Sequence, residues 1–332
     1  MPIAGLGPHG ERAVPFDRII LSDADSRAAR QGRFSVAVVL HTTDSDWSRQ
    51  QLAGIVTTLG HYSAAVVDVI GCDFQAERQV EALGRLIDER PDAIISIPIG
   101  NTQVAEAHHR VSQAGIRLVL IDNAPTGLLP GSDYASVISA DNFGLGQVAA
   151  ELLSGHVPER AAVGMLTYGV DFFVTNEREI AFRRWMAAER PDIILRQARF
   201  SDVDDADRAA RDLLAANPGL GGLFVVWDEP AMKAVAVLHE MGTEIPVTTI
   251  DLGNEAALEL AQDGLIKGIG AQQPYDQGSA AATAALPRSS AGNRRLGIAL
   301  PGLAVMASNV LESYQVAWHA PAPADLVKAW RS

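Results

Sequence analysis

One cysteine, Cys72, stands in 332 residues. That excludes an internal disulfide and any cysteine-rich metal site; a small buried side chain is its expected role. No apolar run approaches the roughly 18 residues that cross a bilayer, so no direct membrane span is expected. Basic residues are outnumbered, 27 Lys and Arg against 40 Asp and Glu, a net charge of -13. A nucleic-acid binder needs a basic face to displace counterions, so no nucleic-acid partner is expected. Residues 1–33 lack a charged start, a long apolar centre and a small-residue cleavage site, so no secretory signal is visible. Residues 1–32 are expected to form a poorly ordered N-terminal extension.

What is present is material for two cores. Hydrophobic residues make up 48% and charged residues 20%, a balance that excludes disorder for most of the chain. The length suggests two lobes of about 150 residues each. From Phe34 onward β-branched runs alternate with stretches of helical period. Strands are expected at Phe34–Leu40, Ala64–Ile70, Ala93–Ile97 and Leu118–Ile121. The helices between them start at Trp47, Ala76 and Val104. The pattern restarts with strands at Val137–Ser139, Val163–Leu166, Ile193–Gln197, Leu223–Val226 and Val247–Ile250. Further strands are expected at Leu265–Ala271 and Leu296–Leu300, with a polar loop at Pro287–Arg295. A final helix is expected from a Ser308 cap to Trp318, stopped by Pro321 and Pro323. Alternation of this kind gives an α/β fold of two doubly wound parallel-sheet lobes.

Several motifs carry less than they offer. Gly5 to Gly10 has the spacing of a dinucleotide fingerprint but no preceding strand, and Pro8 sits inside it. Gly144-Leu145-Gly146-Gln147-Val148-Ala149 follows a strand and opens a helix. The next strand ends at Thr167 with no ribose-binding acid, so close packing of a helix on a sheet is expected instead. The acidic run Ser201 to Asp207 lacks the loop glycine and bidentate Glu of a calcium site and fits a helix start, where the macrodipole favours acids. His108 and His109 point to different faces of a helix and have no second pair at ligand spacing. No Gly-x-Ser-x-Gly elbow and no phosphate-cradling loop occur. Hence no cofactor, no metal and no catalytic residue is expected.

Polar residues at strand ends are more informative: Asp122-Asn123, Trp227-Asp228 and Asp251. In open parallel sheets ligands bind beyond the carboxyl ends of the strands. Asp accepts hydroxyl hydrogens, Arg donates, and an aromatic face covers C–H groups. That set suits a neutral polyhydroxylated solute.

The order of these residues resembles type I periplasmic solute-binding proteins of ABC transporters, the ribose- and galactose-binding group, whose fold lac-repressor-type ligand domains share. The resemblance runs from Phe34 to the C-terminus. It is carried by Leu40 to Trp47 with Gly54, Ser96-Ile97-Pro98, Asp122-Asn123, Ser139-Ala140-Asp141-Asn142, Arg178 after Phe172 and Phe173, Trp227-Asp228-Glu229, Ile250-Asp251 and Ala271-Gln272-Gln273-Pro274. It implies three hinge crossings, with lobe 1 at 33–140 plus 273–301 and lobe 2 at 141–272 plus 302–332. It implies a solute-binding component of an importer, with a sugar, polyol or cyclitol in the cleft between lobes. The implied ligand-binding residues are Trp47, Asp122, Asn123, Asp141, Phe173, Arg178, Trp227, Asp251 and Gln272. Ile97, Asn123 and Trp227 stand where the group usually carries other hydrogen-bonding residues, which implies a smaller or less polar solute than a hexose. The resemblance further implies ABC permease subunits as partners, a periplasmic location and a monomer. The alternatives are a cytosolic ligand sensor, which would explain the missing signal; a cation binder caged by Trp47 and Trp227, which Arg178 opposes; and an enzyme, for which no base–nucleophile pair is seen.

Overall fold

The computed structural model describes residues 3–287 and 297–331. The loop expected at Pro287–Arg295 lies, beyond Pro287, outside the described residues. The chain forms two compact units. The first lobe holds Gly5–Ala140 and Pro274–Leu300, and the second holds Ala4, Asp141–Gln273 and the chain from Pro301. Crossings thus fall after Ala140, Gln273 and Leu300, with a further one after Ala4.

In the first lobe β1 (Val14–Pro15) and α1 (Asp23–Gln31) precede the alternation. There follow β2 (Ser35–Leu40), α2 (Asp46–His61), β3 (Ala65–Gly71), α3 (Ala76–Glu89), β4 (Ala93–Ser96), α4 (Ala105–Gln113), β5 (Arg117–Ile121) and β6 (Ser136–Ala140). The chain returns later with α10 (Pro274–Ala285) and β12 (Gly297–Leu300). The sheet order is β1-β12-β6-β5-β4-β2-β3, parallel throughout. Val36–Leu40 and all of β4 are buried, whereas β3 alternates between exposed and half-buried. Central parallel strands are covered on both faces and read as unbroken apolar runs; an edge strand need not be.

The second lobe has α5 (Asn142–Ser154), β7 (Ala162–Tyr168), α6 (Phe173–Glu189), β8 (Ile194–Phe200), α7 (Ala206–Ala216), β9 (Leu220–Val225), α8 (Asp228–Glu240), β10 (Val247–Ile250), α9 (Asn254–Ala261) and β11 (Ile266–Ala271). It ends with β13 (Leu303–Val305), α11 (Val310–Trp318) and α12 (Ala324–Arg331). Its order is β13-β11-β10-β9-β7-β8. All pairs are parallel except β13, which runs antiparallel to β11.

Four details differ from the sequence reading. Residues 5–32, expected as a loose extension, contribute a helix and a seventh strand that pairs Val14 and Pro15 with Ile298 and Ala299; Pro15 is tolerated because β1 is an edge. Ser308 does not cap the last long helix: it lies in a 3-10 turn, Ala307–Asn309, whose Asn309 side chain accepts from the Met306 amide at 2.8 Å. The helix that ends at Trp318 is also not the last one, since α12 begins directly after Pro323. Finally, α5 does lie close on the sheet, with Thr248 Oγ1 on β10 donating to the Ala149 carbonyl at 3.1 Å, but Gly146 serves another face. A Cβ at Gly146 would lie 2.3 Å from the Arg178 carbonyl oxygen, so the glycine lets α5 press on α6.

The first lobe repeats that device. A Cβ at Gly54 would lie 2.0 Å from the Tyr275 carbonyl, and one at Gly278 would lie 2.0 Å from the Gln51 carbonyl. Two glycines therefore bring the backbones of α2 and α10 together. A polar clamp joins β4 to α4 nearby. His108 is fully buried, with Nδ1 2.8 Å from the Val104 carbonyl and Nε2 2.9 Å from Ser96 Oγ. The carbonyl can only accept, so Nδ1 donates and Nε2 accepts from the serine. Cys72 is buried, and burial pushes its thiol up to about 11.

Candidate ligand-binding site

Each lobe presents the carboxyl ends of its strands, and in each the end carries an aspartate in an unusual conformation. Asp122, after β5, has φ 62°, and Asp251, after β10, has φ 74°. Left-handed backbone costs an L residue about 1–2 kcal/mol. The strain is held by matching contacts. The Asp122 amide donates to Ile138 on β6 at 2.8 Å, and the Asp251 amide donates to Gly270 on β11 at 3.0 Å. Ser139 Oγ donates to Asp122 Oδ1 at 2.8 Å, and Gln272 Nε2 donates to Asp251 Oδ1 at 2.6 Å. Strain of this kind at corresponding strand ends is an observation from which a functional role can be argued.

In the first lobe Asn123 follows Asp122, is buried, and donates to the Gly100 carbonyl at 3.1 Å. Trp47 is the second residue of α2, whose cap is Ser45, accepting from the Ser48 amide. Trp47 is half-buried. Its ring meets His41 edge-on at 5.6 Å, and His41 meets Phe74 at 4.8 Å. Trp47 Nε1 and His41 Nδ1 are both buried without a hydrogen-bond partner. Burial pushes the His41 imidazole down to about 4, so it is neutral at ordinary pH. His41 and Phe74 were not singled out from the sequence. The signal available was their nearness to a polar strand-end loop.

The second lobe brings together residues 142, 178, 226, 251 and 272. Arg178 sits on the inward face of α6 and is 3% exposed, so it is not part of a surface ion pair. Its Nε donates to Asn142 Oδ1 at 2.8 Å, and its Nη1 donates to the Val226 carbonyl at 3.0 Å and to Asp251 Oδ2 at 3.4 Å. Among the described residues Nη2 has no protein partner. Asp228 accepts from the Gly253 and Glu229 amides, both at 2.9 Å. Burial first, then the Asp251 and Glu229 charges, pushes the Asp228 carboxyl well up. Burial also raises Asp251, with Arg178 and Gln272 pulling the other way. The cluster is therefore short of positive charge, and the fixed guanidinium is its one strong donor.

Asp141 is placed as the cap of α5. Its Oδ1 accepts from the Gly144 amide at 3.0 Å and its Oδ2 from the Ala4 amide at 2.7 Å. Phe173 opens α6 and is half-buried, as is Phe172 before it. Trp227 precedes α8, half-buried, and packs on Tyr168 at 5.3 Å and Phe200 at 5.2 Å. Tyr168, Phe200 and Asn142 escaped the sequence reading as site residues. β8 was read to stop at Gln197, because its exposed, polar residues break the apolar pattern. The structure thus brings Arg178, Asp251 and Gln272 together, with Trp227 directly after the Val226 that Arg178 contacts; in the other lobe Asp122 and Asn123 share a strand end, and Trp47 packs on His41.

The acidic run after β8 forms a turn in which Asp202 accepts from the Asp204 amide at 3.0 Å, and it leads into α7. Among the described residues no group of three His, Cys, Asp or Glu could hold a metal ion. No helix there is long and apolar enough to cross a membrane.

The model of the periplasmic binding protein domain family matches residues 36–288. No curated protein matches the chain in sequence. Solved structures are similar in fold. An ABC transporter solute-binding protein from Mycobacterium smegmatis with bound glycerol shares 20% identity over 86% of this chain and 97% of its own, with a TM-score of 0.75. One from Agrobacterium vitis bound with α-D-tagatopyranose shares 23% over 88% and 100%, with a TM-score of 0.76. An arabinose-binding protein from Geobacillus stearothermophilus shares 19% over 85% and 100%, with a TM-score of 0.69. At these identities the likeness is one of fold.

Proposed function

Because the chain belongs to the periplasmic binding protein domain family, we propose that it is the solute-binding component of an ABC importer for a small neutral polyhydroxylated solute. The solute class is a sugar, polyol or cyclitol; the protein acts in the periplasm as a monomer, and its partners are the permease subunits of the ABC transporter. The observation that carries this reading is the fixed guanidinium of Arg178, held on three acceptors with one nitrogen left over. It stands beside Asp251 at a strand end, where open parallel sheets bind ligands. The leftover donor suits a hydroxyl oxygen. The glycerol and α-D-tagatopyranose in two similar proteins are uncharged and hydroxylated.

In this reading Arg178 donates, Asp122 and Asp251 accept hydroxyl hydrogens, and Gln272, Asn123 and Asp141 fix the polar walls. Trp47, Trp227 and Phe173 cover C–H faces. Solute contacts that favour one conformation would shift its population by their differential energy, and a permease would read that state. A charge-assisted hydrogen bond contributes roughly 1.5–3 kcal/mol, so a handful, less the costs of association, gives about micromolar affinity.

The test is a thermal-shift panel of sugars, polyols and cyclitols, followed by calorimetric titration of each hit. A solute at 100 times its Kd should add about 2.7 kcal/mol of stability. Arg178→Ala in the second lobe and Trp47→Ala in the first should each weaken the same hit at least tenfold. No stabilisation by any member of the panel, or hits indifferent to both substitutions, would sink the proposal.

A further inference from the structure

Along the carboxyl end of the second sheet the strands stand in the order β11, β10, β9, β7, β8. Gln272 and Asp251 follow β11 and β10 directly, and Trp227 follows β9 after one residue. Tyr168 and Phe200 are the last residues of β7 and β8 and lie opposite each other in register. The row therefore changes character midway, from amide and carboxylate to three rings. Trp227 and Tyr168 meet at 5.3 Å and 82°, Trp227 and Phe200 at 5.2 Å and 60°, and Tyr168 and Phe200 at 5.6 Å and 48°. Phe200 is 3% exposed, while Trp227 and Tyr168 remain half-buried. Phe200 thus backs two rings that keep open surface. The two halves of the row are joined, because Arg178 Nη1 donates to the carbonyl of Val226, the residue before Trp227.

Neighbouring strands lie about 4.8 Å apart, so the row from Asp251 to Tyr168 covers roughly 10 Å. One sugar ring on Arg178 and Asp251 would leave the far rings uncovered. Both oxygens of Asp251 are already bonded within the protein, and the aromatic half presents mainly ring surface. We propose that the solute is amphipathic: a hydroxylated part seated at Arg178 and Asp251, joined to an uncharged apolar substituent that lies on Trp227 and Tyr168. This rests on the sugar-binding reading above and sharpens its solute class. An aromatic or C–H-rich group would gain area on the rings. A cation there would meet the guanidinium next to Trp227. Burial and the Asp202 charge hold the Tyr168 phenol up, so the ring wall itself is neutral at ordinary pH.

The experiment titrates the protein calorimetrically with D-glucose, D-galactose and L-arabinose and with the phenyl glycoside of each. For the sugar that binds, the phenyl glycoside should bind at least tenfold tighter than the free sugar. Trp227→Ala should abolish that advantage, weakening the phenyl glycoside at least tenfold more than it weakens the free sugar. Tyr168→Leu, on a different strand, should do the same, with circular dichroism confirming the fold of both. If a free sugar binds and its phenyl glycoside binds no tighter, or if the advantage survives both substitutions, the inference fails and the sugar-binding reading stands. If neither member of any pair binds, the inference fails, and the wider panel above decides the sugar-binding reading. Choline should bind more weakly than the phenyl glycoside; tighter binding would put a cation on the rings and overturn the neutral class.

Discussion

Arg178 and His108 are both buried polar side chains, yet they do opposite things. Arg178 keeps one nitrogen unspent, which the proposed function gives to a solute. His108 spends both ring nitrogens inside the first lobe, on Ser96 and Val104, and so acts on stability. Burial lowers its pKa from 6.5 to about 4. The unfolded chain therefore binds the proton more readily, and stability falls as pH falls. The contribution is complete above about pH 6.5 and drains away between there and about pH 4, costing about 2 kcal/mol by pH 5. Urea unfolding of the protein and of His108→Gln at pH 7.5 and pH 5 checks this. The variant should lose clearly less stability on acidification; an equal loss would assign the effect to other groups, His41 among them, whose shift has the same sign. His108 was legible as a helical residue but not as a buried one, because its partner Ser96 lies on a different element.

At the scale of elements, glycine positions decide how closely helices approach. Gly54→Ala would place a methyl 2.0 Å from a carbonyl oxygen on α10. Overpacking of this kind typically costs 1–3 kcal/mol, which outweighs the roughly 1 kcal/mol gained in helix propensity. A lower denaturant midpoint with an unchanged slope is the expected result. Gly146→Ala has a second consequence. Its methyl would push on the carbonyl of Arg178 itself, so α6 must shift and carry the guanidinium with it. Weaker solute binding is expected although Gly146 contacts no ligand in the proposed site. A variant that loses stability but binds hits from the panel as tightly as the original would show that α6 yields elsewhere. The glycine spacing was readable as a helix-packing signal, but whether the facing surface was a sheet or a helix was not.

For the whole molecule, the segment before Phe34 belongs to the folded structure. β1 lengthens the first sheet, and His9 Nε2 lies 2.9 Å from the Tyr134 hydroxyl. Removing residues 1–32 would bare the β12 edge and these contacts. The thermal midpoint is expected to drop by several degrees, since each kcal/mol is worth roughly 2–4 °C in a domain of 150–250 residues. An unchanged midpoint would mean that β1 adds nothing to the sheet. Low apolar periodicity hid this segment: a two-residue strand containing Pro15 leaves no pattern of period two.

The sequence by itself determined two α/β sheets, the alternation that builds them, and the polar residues at strand ends. Burial on both faces of a parallel sheet must be written into consecutive residues, and local pattern records it. Only the tertiary structure decided that Arg178 turns inward between Asn142 and Asp251, that Asp122 and Asp251 adopt left-handed backbone, and that Trp227 meets Tyr168 and Phe200. Each of these depends on residues tens of positions apart, whose meeting is set by strand order and helix packing and leaves no trace in local periodicity.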